Sequence, residues 1–265
     1  MFKIFRNYLS LIKNRGYGIR YLHLLPENPR HDDIYIVEYP KSGVTYLSFL
    51  IGNIELRREG LPGARVTFFN KHKYIPDVHL LNNVPLRRLL KNTFIKSHAN
   101  YRPEYGLVIY LIRNPFNVMV SFYNYMLGFG YKDSFEDFIR SPVLGIDAWI
   151  CHVKSWTKIP NTNQKIILVK YEDLVNATKE TLVGIYGQIG VALDKSEIDI
   201  AIGYSSMDSM KRCEDSYSIL SPVYARSFVG SLGKLAKEDL LTSDAISFMS
   251  ERIKGSGITL YDEFL

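Results

Sequence analysis

The sequence predicts a single α/β domain in which a parallel sheet is covered by helices on both faces. Short runs rich in β-branched and aromatic residues alternate along the chain with segments whose apolar residues have helical spacing. At two places such a run ends in a polar turn that opens directly onto a helix. No internal repeat, low-complexity tract or linker divides the 265 residues. We therefore expect one domain over residues 1–265.

Composition and charge narrow the class of protein. With 46% hydrophobic and 23% charged residues, the chain is neither disordered nor fibrous. The longest apolar run, near residues 107–112, is too short for a transmembrane segment. A net charge of +6 suits a phosphate-bearing ligand, an acidic substrate or a nucleic acid without choosing among them. Cys151 and Cys213 indicate neither a disulfide framework nor a thiolate metal site, so a cytoplasmic location is expected.

The first strand and helix enclose a short polar loop. A strand is expected over residues 34–39, a β-branched and aromatic run that ends at Pro40. The loop that follows, residues 41–45, leads into a helix whose apolar residues have core spacing: Leu47, Leu50, Ile51 and Ile54. Residues 1–30 are expected to form an N-terminal helical segment packed on the domain.

The same alternation continues to the C-terminus. Asn114 is a good helix N-cap and Pro115 a good first helical residue. Further strands are predicted over residues 93–96, 108–113 and 165–170. One helix is predicted to begin after Asn114 and to end near residue 126. Further helices are predicted over residues 134–140, 147–157, 178–188, 196–203 and 243–254. Residues 67–83 stay unassigned, and residues 213–234 are expected to be an irregular, lid-like segment.

The loop between the first strand and helix has the features of an anion site. A turn of this kind presents backbone N–H groups and the positive end of a helix to one point. Lys41 adds a mobile charge, and Ser42 and Thr45 add hydroxyl donors. The loop is not the nucleoside-triphosphate signature GxxxxGK[ST], because its lysine precedes the glycine. Taken alone, it is also typical of an ordinary surface turn.

Four motifs together resemble the sulfotransferases that use 3′-phosphoadenosine 5′-phosphosulfate (PAPS). The loop PKSGVTY at residues 40–46 is similar to the family's PKSGTTW. Three more motifs follow in family order: KSH at residues 96–98, similar to KTH; RNP at residues 113–115 with Ser121, similar to RNPxDxxxS; and YEDL at residues 171–174. Residues 205–211 weakly resemble TSFxxMK. The resemblance implies a P-loop, nucleotide-kinase-like fold with about five parallel strands.

The resemblance also implies which residues bind the donor. The 5′-phosphosulfate would be held by the loop residues Lys41, Ser42, Gly43, Val44 and Thr45, with Tyr46 stacking on adenine. Arg113 and Ser121 would hold the 3′-phosphate, and Tyr171 would contact adenine, with Ser205 and Met207 as further candidates. The chemistry agrees, since an arginine at a strand end can form paired bonds to phosphate. Ser121 lies about two helical turns beyond Asn114, on the same helix face.

For catalysis, the resemblance assigns the general base to His98. A neutral imidazole with a pKa near ~6.5 can take the proton of an acceptor hydroxyl as it attacks sulfur. Lys41 would stabilise charge on the departing phosphate, and Lys96 would assist at the transferring group. Transfer is expected to be direct and in-line, without a covalent intermediate and without a metal. A lone histidine is more often structural, so the KSH context carries this assignment.

Three departures from the family pattern concern the donor site. Val44 replaces a threonine and Tyr46 replaces a tryptophan. The family's RKGxxGDWK, which clamps the 3′-phosphate, is aligned with FVGSLGKLA at residues 228–236. Both basic residues and the tryptophan are missing there, so Arg226 or Lys234 is expected to supply the charge and Gly230 a backbone N–H.

The acceptor is expected to be a small molecule, and a secondary metabolite or a saccharide is a candidate. A nucleic acid is not expected as a partner. Aromatic residues that could line its pocket are Phe68, Phe69, Tyr74, Tyr123, Tyr125, Phe129 and Tyr131. Asp77, His79 and Glu104 could recognise a cationic or polyhydroxylated acceptor, whereas His72, Asp77 and His79 lack metal-ligand spacing. The choice between O- and N-sulfation and the oligomeric state stay open.

Two other classes of function share the predicted fold. A small-molecule kinase would need GK[ST] and a magnesium-binding carboxylate at a strand end, and no convincing pair occurs. A non-catalytic module that binds anions or nucleic acid is compatible with the charge, but would leave Lys41 and His98 without a chemical role.

Overall fold

One parallel sheet organises the molecule. The computed structural model describes residues 25–61, 63–81, 85–159, 164–220 and 235–264. The strands are β1 Ile34–Glu38, β2 Phe94–Ser97, β3 Leu107–Ile112 and β4 Lys165–Lys170. They pair in parallel in the order β2-β1-β3-β4, so β1 and β3 are central. The described part of the chain thus contains four strands, where the family resemblance implies about five.

Helices follow β1, β3 and β4, whereas β2 leads into β3 without one. They are α1 Val44–Arg58, α2 Lys71–Tyr74, α3 Pro115–Leu127, α4 Phe135–Arg140, α5 Ile146–Thr157, α6 Tyr171–Asn176, α7 Thr178–Ile189, α8 Lys195–Tyr204, α9 Met207–Leu220, α10 Lys237–Leu240 and α11 Ser243–Ser256. Short 3-10 turns occur at Val78–Leu80 and Asp262–Phe264. None of the helices in the described ranges is long and apolar enough to cross a bilayer.

The hydrophobic core has one layer on each face of the sheet. Because successive side chains of a strand point to opposite faces, Ile34 and Ile36 pack with α1, α7 and α8, while Tyr35 and Val37 pack with α3 and α5. The predicted core residues of α1 are all fully buried: Leu47, Leu50, Ile51 and Ile54. Each such burial stabilises the fold by about 1.5–3 kcal/mol. The prediction of a sheet covered on both faces is confirmed.

Two predicted helix starts are confirmed at the level of their caps. The Asn114 side chain accepts bonds from the backbone N–H groups of Phe116 and Asn117, at 3.0 and 3.3 Å. Ser134 accepts from the N–H of Asp137 at 3.1 Å. These side chains satisfy N–H groups that have no partner within the helix, so each helix begins at a defined residue.

Some expected segments differ from the structure. The prediction that residues 213–234 are irregular is wrong for residues 213–220, because α9 continues to Leu220. Residues 221–234 lie outside the described residues. Residues 25–30 contain no helix, and the rest of the expected N-terminal helical segment also lies outside the described residues. The unassigned residues 67–83 include α2 and a 3-10 turn.

Candidate active site

The four motif loops meet at the carboxyl edge of the sheet. Because all strands run in parallel, the residues that follow them emerge on the same side. The loop after β1 begins at Tyr39, β2 ends one residue before His98, Arg113 follows β3, and Tyr171 follows β4. The sequence therefore brings the predicted phosphate loop, base and arginine to one edge.

The backbone of the phosphate loop is left-handed at two positions. Lys41 has a φ of 76° and Gly43 a φ of 111°. A Cβ atom on Gly43 would lie 2.2 Å from Cδ2 of Tyr171. Glycine is required here both for the backbone conformation and for the close approach of the Tyr171 ring. The loop motif and YEDL are thus parts of one packing unit.

Two buried polar atoms at the loop have no hydrogen-bond partner among the described residues: Oγ of Ser42 and Nε of Arg113. The other end of the Arg113 guanidinium donates to the carbonyl of Lys41 at 3.1 Å and lies 4.5 Å from the centre of the Tyr171 ring. An unsatisfied buried donor costs free energy, which a bound acceptor would recover. Hydroxyl and guanidinium donors beside a helix start fit a phosphate group.

Glu38, the last residue of β1, places its carboxyl group beside the loop. Its side chain is 2% exposed, and Oε2 accepts a bond from the Val44 N–H, at the start of α1, at 2.7 Å. Burial raises the pKa of Glu38 to about 7, although Lys96, the Val44 N–H, Lys41 and Arg113 act in the opposite direction. Sequence reasoning gave Glu38 no role; the available signal was an acidic residue ending an otherwise apolar strand.

His98 is held at two points. Its Nδ1 donates to the backbone carbonyl of Glu38 at 3.1 Å, and its backbone N–H donates to Nε2 of His79 at 2.9 Å. This assignment of the tautomer leaves Nε2 of His98 as the nitrogen able to accept a proton, on a side chain that is 25% exposed.

The charge state of His98 follows from its surroundings. Burial, followed by the neighbouring Lys96 and His79, lowers the pKa of His98 well below its usual 6.5. The ring is therefore neutral near pH 7. Its 3.9 Å approach to Oε1 of Glu38 is consequently not an ion pair at that pH.

A buried ion pair fixes Lys96. Its Nζ lies 2.7 Å from Oδ2 of Asp77, and Oδ1 of Asp77 accepts the N–H of His79 at 3.0 Å. Burial alone would raise the pKa of Asp77, but the charge and hydrogen bond of Lys96, together with His79 and His98, hold it well below its usual value. Asp77 and His79, considered from the sequence as acceptor-binding residues, therefore contact Lys96 and His98.

Lys71 is a further basic residue that sequence reasoning missed. It lies on α2 and is 9% exposed, and burial, followed by the charge of Lys96, lowers its pKa to about 7. Asp77, Glu38 and Lys41 also act on it electrostatically. Its position depends on how α2 packs, and no motif in the sequence marks it.

A cavity of about 480 Å³ lies beside the loop. Its lining brings together the two residues predicted for the 3′-phosphate, Arg113 and Ser121. The remaining lining residues are Asn117, Val120, Asn124, Leu235, Ala236 and Lys237. Lys237 adds a second cation that the sequence analysis did not consider. The basic residues and the glycine that the sequence suggested for this role lie outside the described residues: Arg226, Lys234 and Gly230.

Glu172 of the YEDL motif supports this part of the site. Its Oε1 accepts the backbone N–H of Asn114 at 2.9 Å, and its Oε2 accepts the hydroxyl of Tyr261 at 2.8 Å. Glu172 therefore links the start of α3, directly after Arg113, to the C-terminal part of the chain.

Other predicted residues lie at different distances from the loop. Ser205 is buried, and its hydroxyl accepts a bond from Asn53 at 3.2 Å. At about 1.5 Å per residue, Asn53 lies about 14 Å along α1 from Val44. Met207 is 61% exposed. Neither lines the cavity at Arg113. Tyr46 lies close to the loop, with its hydroxyl 3.5 Å from Oγ1 of Thr178.

The aromatic residues proposed for an acceptor pocket separate into core and site. Phe68 and Tyr123 are buried in the core. Tyr125 lies beside the loop, since Nζ of Lys41 is 4.5 Å from its ring centre, and Phe129 packs against it at 4.8 Å. Within the described ranges, no group of three or more His, Cys, Asp or Glu side chains is arranged to hold a metal ion.

Comparisons with known proteins identify a family. The sulfotransferase domain model matches residues 31–246. Sulfotransferase 1E1 of Bos taurus is 28% identical over 204 residues, covering 69% of this chain and 67% of that protein. Sulfotransferase 1A1 of Rattus norvegicus is 29% identical over 206 residues, covering 71% and 70%.

Solved structures share the fold. Mouse sulfotransferase SULT7A1 complexed with PAP has a TM-score of 0.61 at 20% identity, covering 89% of this chain and 87% of that one. Retinol dehydratase in complex with androsterone and the inactive cofactor PAP has a TM-score of 0.65 at 15% identity, covering 89% and 84%. With a family model that spans most of its length, this chain belongs to the sulfotransferase domain family.

Proposed function

We propose that this chain transfers a sulfuryl group from PAPS to a hydroxyl or amine of a small-molecule acceptor. The observation that carries the proposal is the setting of His98. Its Nδ1 is committed to the Glu38 carbonyl, and its Nε2 is left to accept a proton beside the phosphate loop. PAP, the bisphosphate that remains when PAPS loses its sulfuryl group, is bound in the two related structures.

The loop binds the 5′-phosphosulfate in this proposal. Backbone N–H groups of residues 41–45 and the start of α1 provide the donors. The unpartnered hydroxyl of Ser42 and the charge of Lys41 add to them. Tyr46 and Tyr171 contact the adenine, since the Tyr171 ring packs against Gly43 and Tyr46 directly follows the loop.

Arg113 and Ser121 bind the 3′-phosphate, and Lys237 supplies a second positive charge. All three line the same cavity. The unpartnered Nε of Arg113 gives a further donor for this anion. Lys237 thereby takes the place of the basic residues that the C-terminal family motif lacks in this sequence.

In the reaction, His98 takes the proton of the acceptor through Nε2 as the acceptor oxygen or nitrogen attacks sulfur. The new bond to sulfur forms while the bond from sulfur to the 5′-phosphate oxygen breaks. Lys41 and Lys96 stabilise the negative charge that builds on this leaving oxygen. The buried pair with Asp77 keeps Lys96 in place for this task. No covalent enzyme intermediate is required.

The acceptor approaches from the exposed edge of His98. Tyr125, whose ring lies near Nζ of Lys41, and Phe129, which packs against Tyr125, offer apolar surface beside the loop. This setting supports a small acceptor with an apolar or aromatic body and a nucleophilic hydroxyl or amine.

Replacing His98 tests the assignment of the base. We expect His98→Gln to lower turnover by about 100-fold or more while changing the affinity for adenosine 3′,5′-bisphosphate by less than about 2-fold. Turnover is measured as PAP release from PAPS with a panel of phenols, alcohols and amines, and affinity by calorimetry. His31→Gln, at an exposed histidine, is the matched control. Undiminished turnover of His98→Gln would remove His98 from the mechanism.

A further inference from the structure

Glu38 occupies a backbone N–H that the donor needs. Its Oε2 accepts from the Val44 N–H at 2.7 Å, within the loop to which the 5′-phosphosulfate is assigned. The side chain is 2% exposed, and Glu38 pairs with Leu111 of β3, so its carboxyl group is held inside the protein. The inference that follows rests on the proposed function.

The surroundings of Glu38 allow both protonation states near neutral pH. Lys41 on the loop, Lys96 and Arg113 favour the carboxylate, and burial favours the acid, which places its pKa at about 7. Other titratable groups that act on it or contact it come from α2, the end of β2, β3 and α6: Lys71, His98, Tyr110 and Tyr171.

The two protonation states have opposite effects on a phosphate in the loop. A carboxylate is only an acceptor, and its charge repels a second anion at short range in a partly buried site. A carboxylic acid carries an O–H that donates to a phosphate oxygen. The Val44 N–H then becomes available to the phosphate as well.

We propose that Glu38 is a further donor-binding residue, which takes up a proton when the donor binds and holds the 5′-phosphate as a neutral carboxylic acid. The proton comes from solvent and returns to it when the bisphosphate product leaves. No bond of the donor is broken in this step. Donor binding is thereby coupled to pH through a residue inside the phosphate loop.

The proton can be counted by calorimetry. Adenosine 3′,5′-bisphosphate is titrated in buffers of different ionisation enthalpy, from about pH 6 to about pH 9. We expect wild-type protein to take up close to one proton above the Glu38 pKa. Its dissociation constant should rise by about 10-fold for each further pH unit, since only the protonated form binds.

Glu38→Gln isolates the residue. The amide N–H replaces the acid O–H, so this variant should bind more tightly than wild type at about pH 8 and should lose the proton uptake. The difference between wild type and variant cancels the ionisation of the ligand. His98→Gln should keep the uptake, which assigns the proton to Glu38 and not to the neighbouring imidazole.

Glu55→Gln is the matched control. Glu55 is a second buried glutamate, bonded to Tyr186 and Asn92 on the far part of α1, and burial raises its pKa too. This variant should behave as wild type.

Binding without proton uptake by wild-type protein above about pH 7 overturns the Glu38 proposal alone, and this measurement does not require Glu38→Gln to fold. Equal pH dependence of the dissociation constant in wild type and Glu38→Gln also overturns it. An absence of bisphosphate binding at every pH overturns the proposed function together with it.

Discussion

At the scale of single residues, Gly43 and Tyr171 show how the loop is specified. The left-handed backbone at Gly43 turns the chain into α1, and the missing side chain lets the Tyr171 ring pack on the backbone. That ring in turn lies against the Arg113 guanidinium. One glycine therefore sets where the loop lies relative to the Arg113 guanidinium.

We predict that Gly43→Ala destabilises the fold by about 3 kcal/mol, from left-handed strain and from overlap with Tyr171. It should also abolish measurable binding of adenosine 3′,5′-bisphosphate. Gly60→Ala is the control, since Gly60 has a φ of 70° but open space around it. That variant should cost about 1 kcal/mol and leave binding unchanged. Urea unfolding and calorimetry measure the two effects, and equal losses in both variants would contradict this role of Gly43.

The sequence predicted some site residues and not others, for a physical reason. The positions of Lys41, Arg113 and His98 in the candidate site could be predicted, because each belongs to a recognisable motif at the end of a strand. Lys71 and Asp77 could not be, because their roles depend on how the segment between β1 and β2 folds back onto Lys96. Glu38 is visible in the sequence as an acidic residue at the end of a strand. Only the structure shows that its carboxyl group accepts a hydrogen bond from the Val44 N–H in the loop.

At the scale of elements, α3 connects the fold to the cavity that Arg113 and Ser121 line. Asn114 caps it, Arg113 precedes it, and Ser121 lies on the face that lines the cavity. The anchoring of Asn114 by Glu172 adds a contact from α6. The start of this helix therefore determines where both cavity residues lie.

We predict that Asn114→Ala and Ser134→Ala each cost about 1 kcal/mol of unfolding free energy, because each removes an N-cap. Only Asn114→Ala should weaken bisphosphate binding, by about 5-fold or more, since it loosens the start of α3 beside Arg113. Thermal or urea unfolding gives the first quantity and calorimetry the second. The same affinity in both variants would show that the cap does not position Arg113.

Elements with a strong periodic core or a cap were predictable, and α9 was not. Its sequence is rich in serine and charged residues, which favours an irregular segment. The helix packs through residues at helical spacing, Met210, Cys213 and Tyr217, against a small cluster around Phe49 and Leu56. Three contacts of this kind are a weak signal without the neighbouring element that they bury.

At the scale of the whole molecule, the parallel direction and the order of the strands bring motifs that are distant in the chain to one candidate site. The motifs are spread from Lys41 to Tyr171 in the chain, and the order β2-β1-β3-β4 places them at one edge. The strand–helix alternation predicted the parallel sheet, and parallel strands end on the same side. It could not predict the strand order itself, which depends on long-range pairing.

We propose that this edge of the sheet binds a 3′,5′-bisphosphorylated nucleotide, and the first measurement compares adenosine 3′,5′-bisphosphate with 5′-AMP by calorimetry, with and without magnesium. Two charge-assisted contacts to the 3′-phosphate, at about 1.5 kcal/mol each, predict that the bisphosphate binds about 100-fold more tightly, independently of magnesium. Equal affinity for the two nucleotides, a requirement for magnesium, or no binding of the bisphosphate would contradict the proposed donor site.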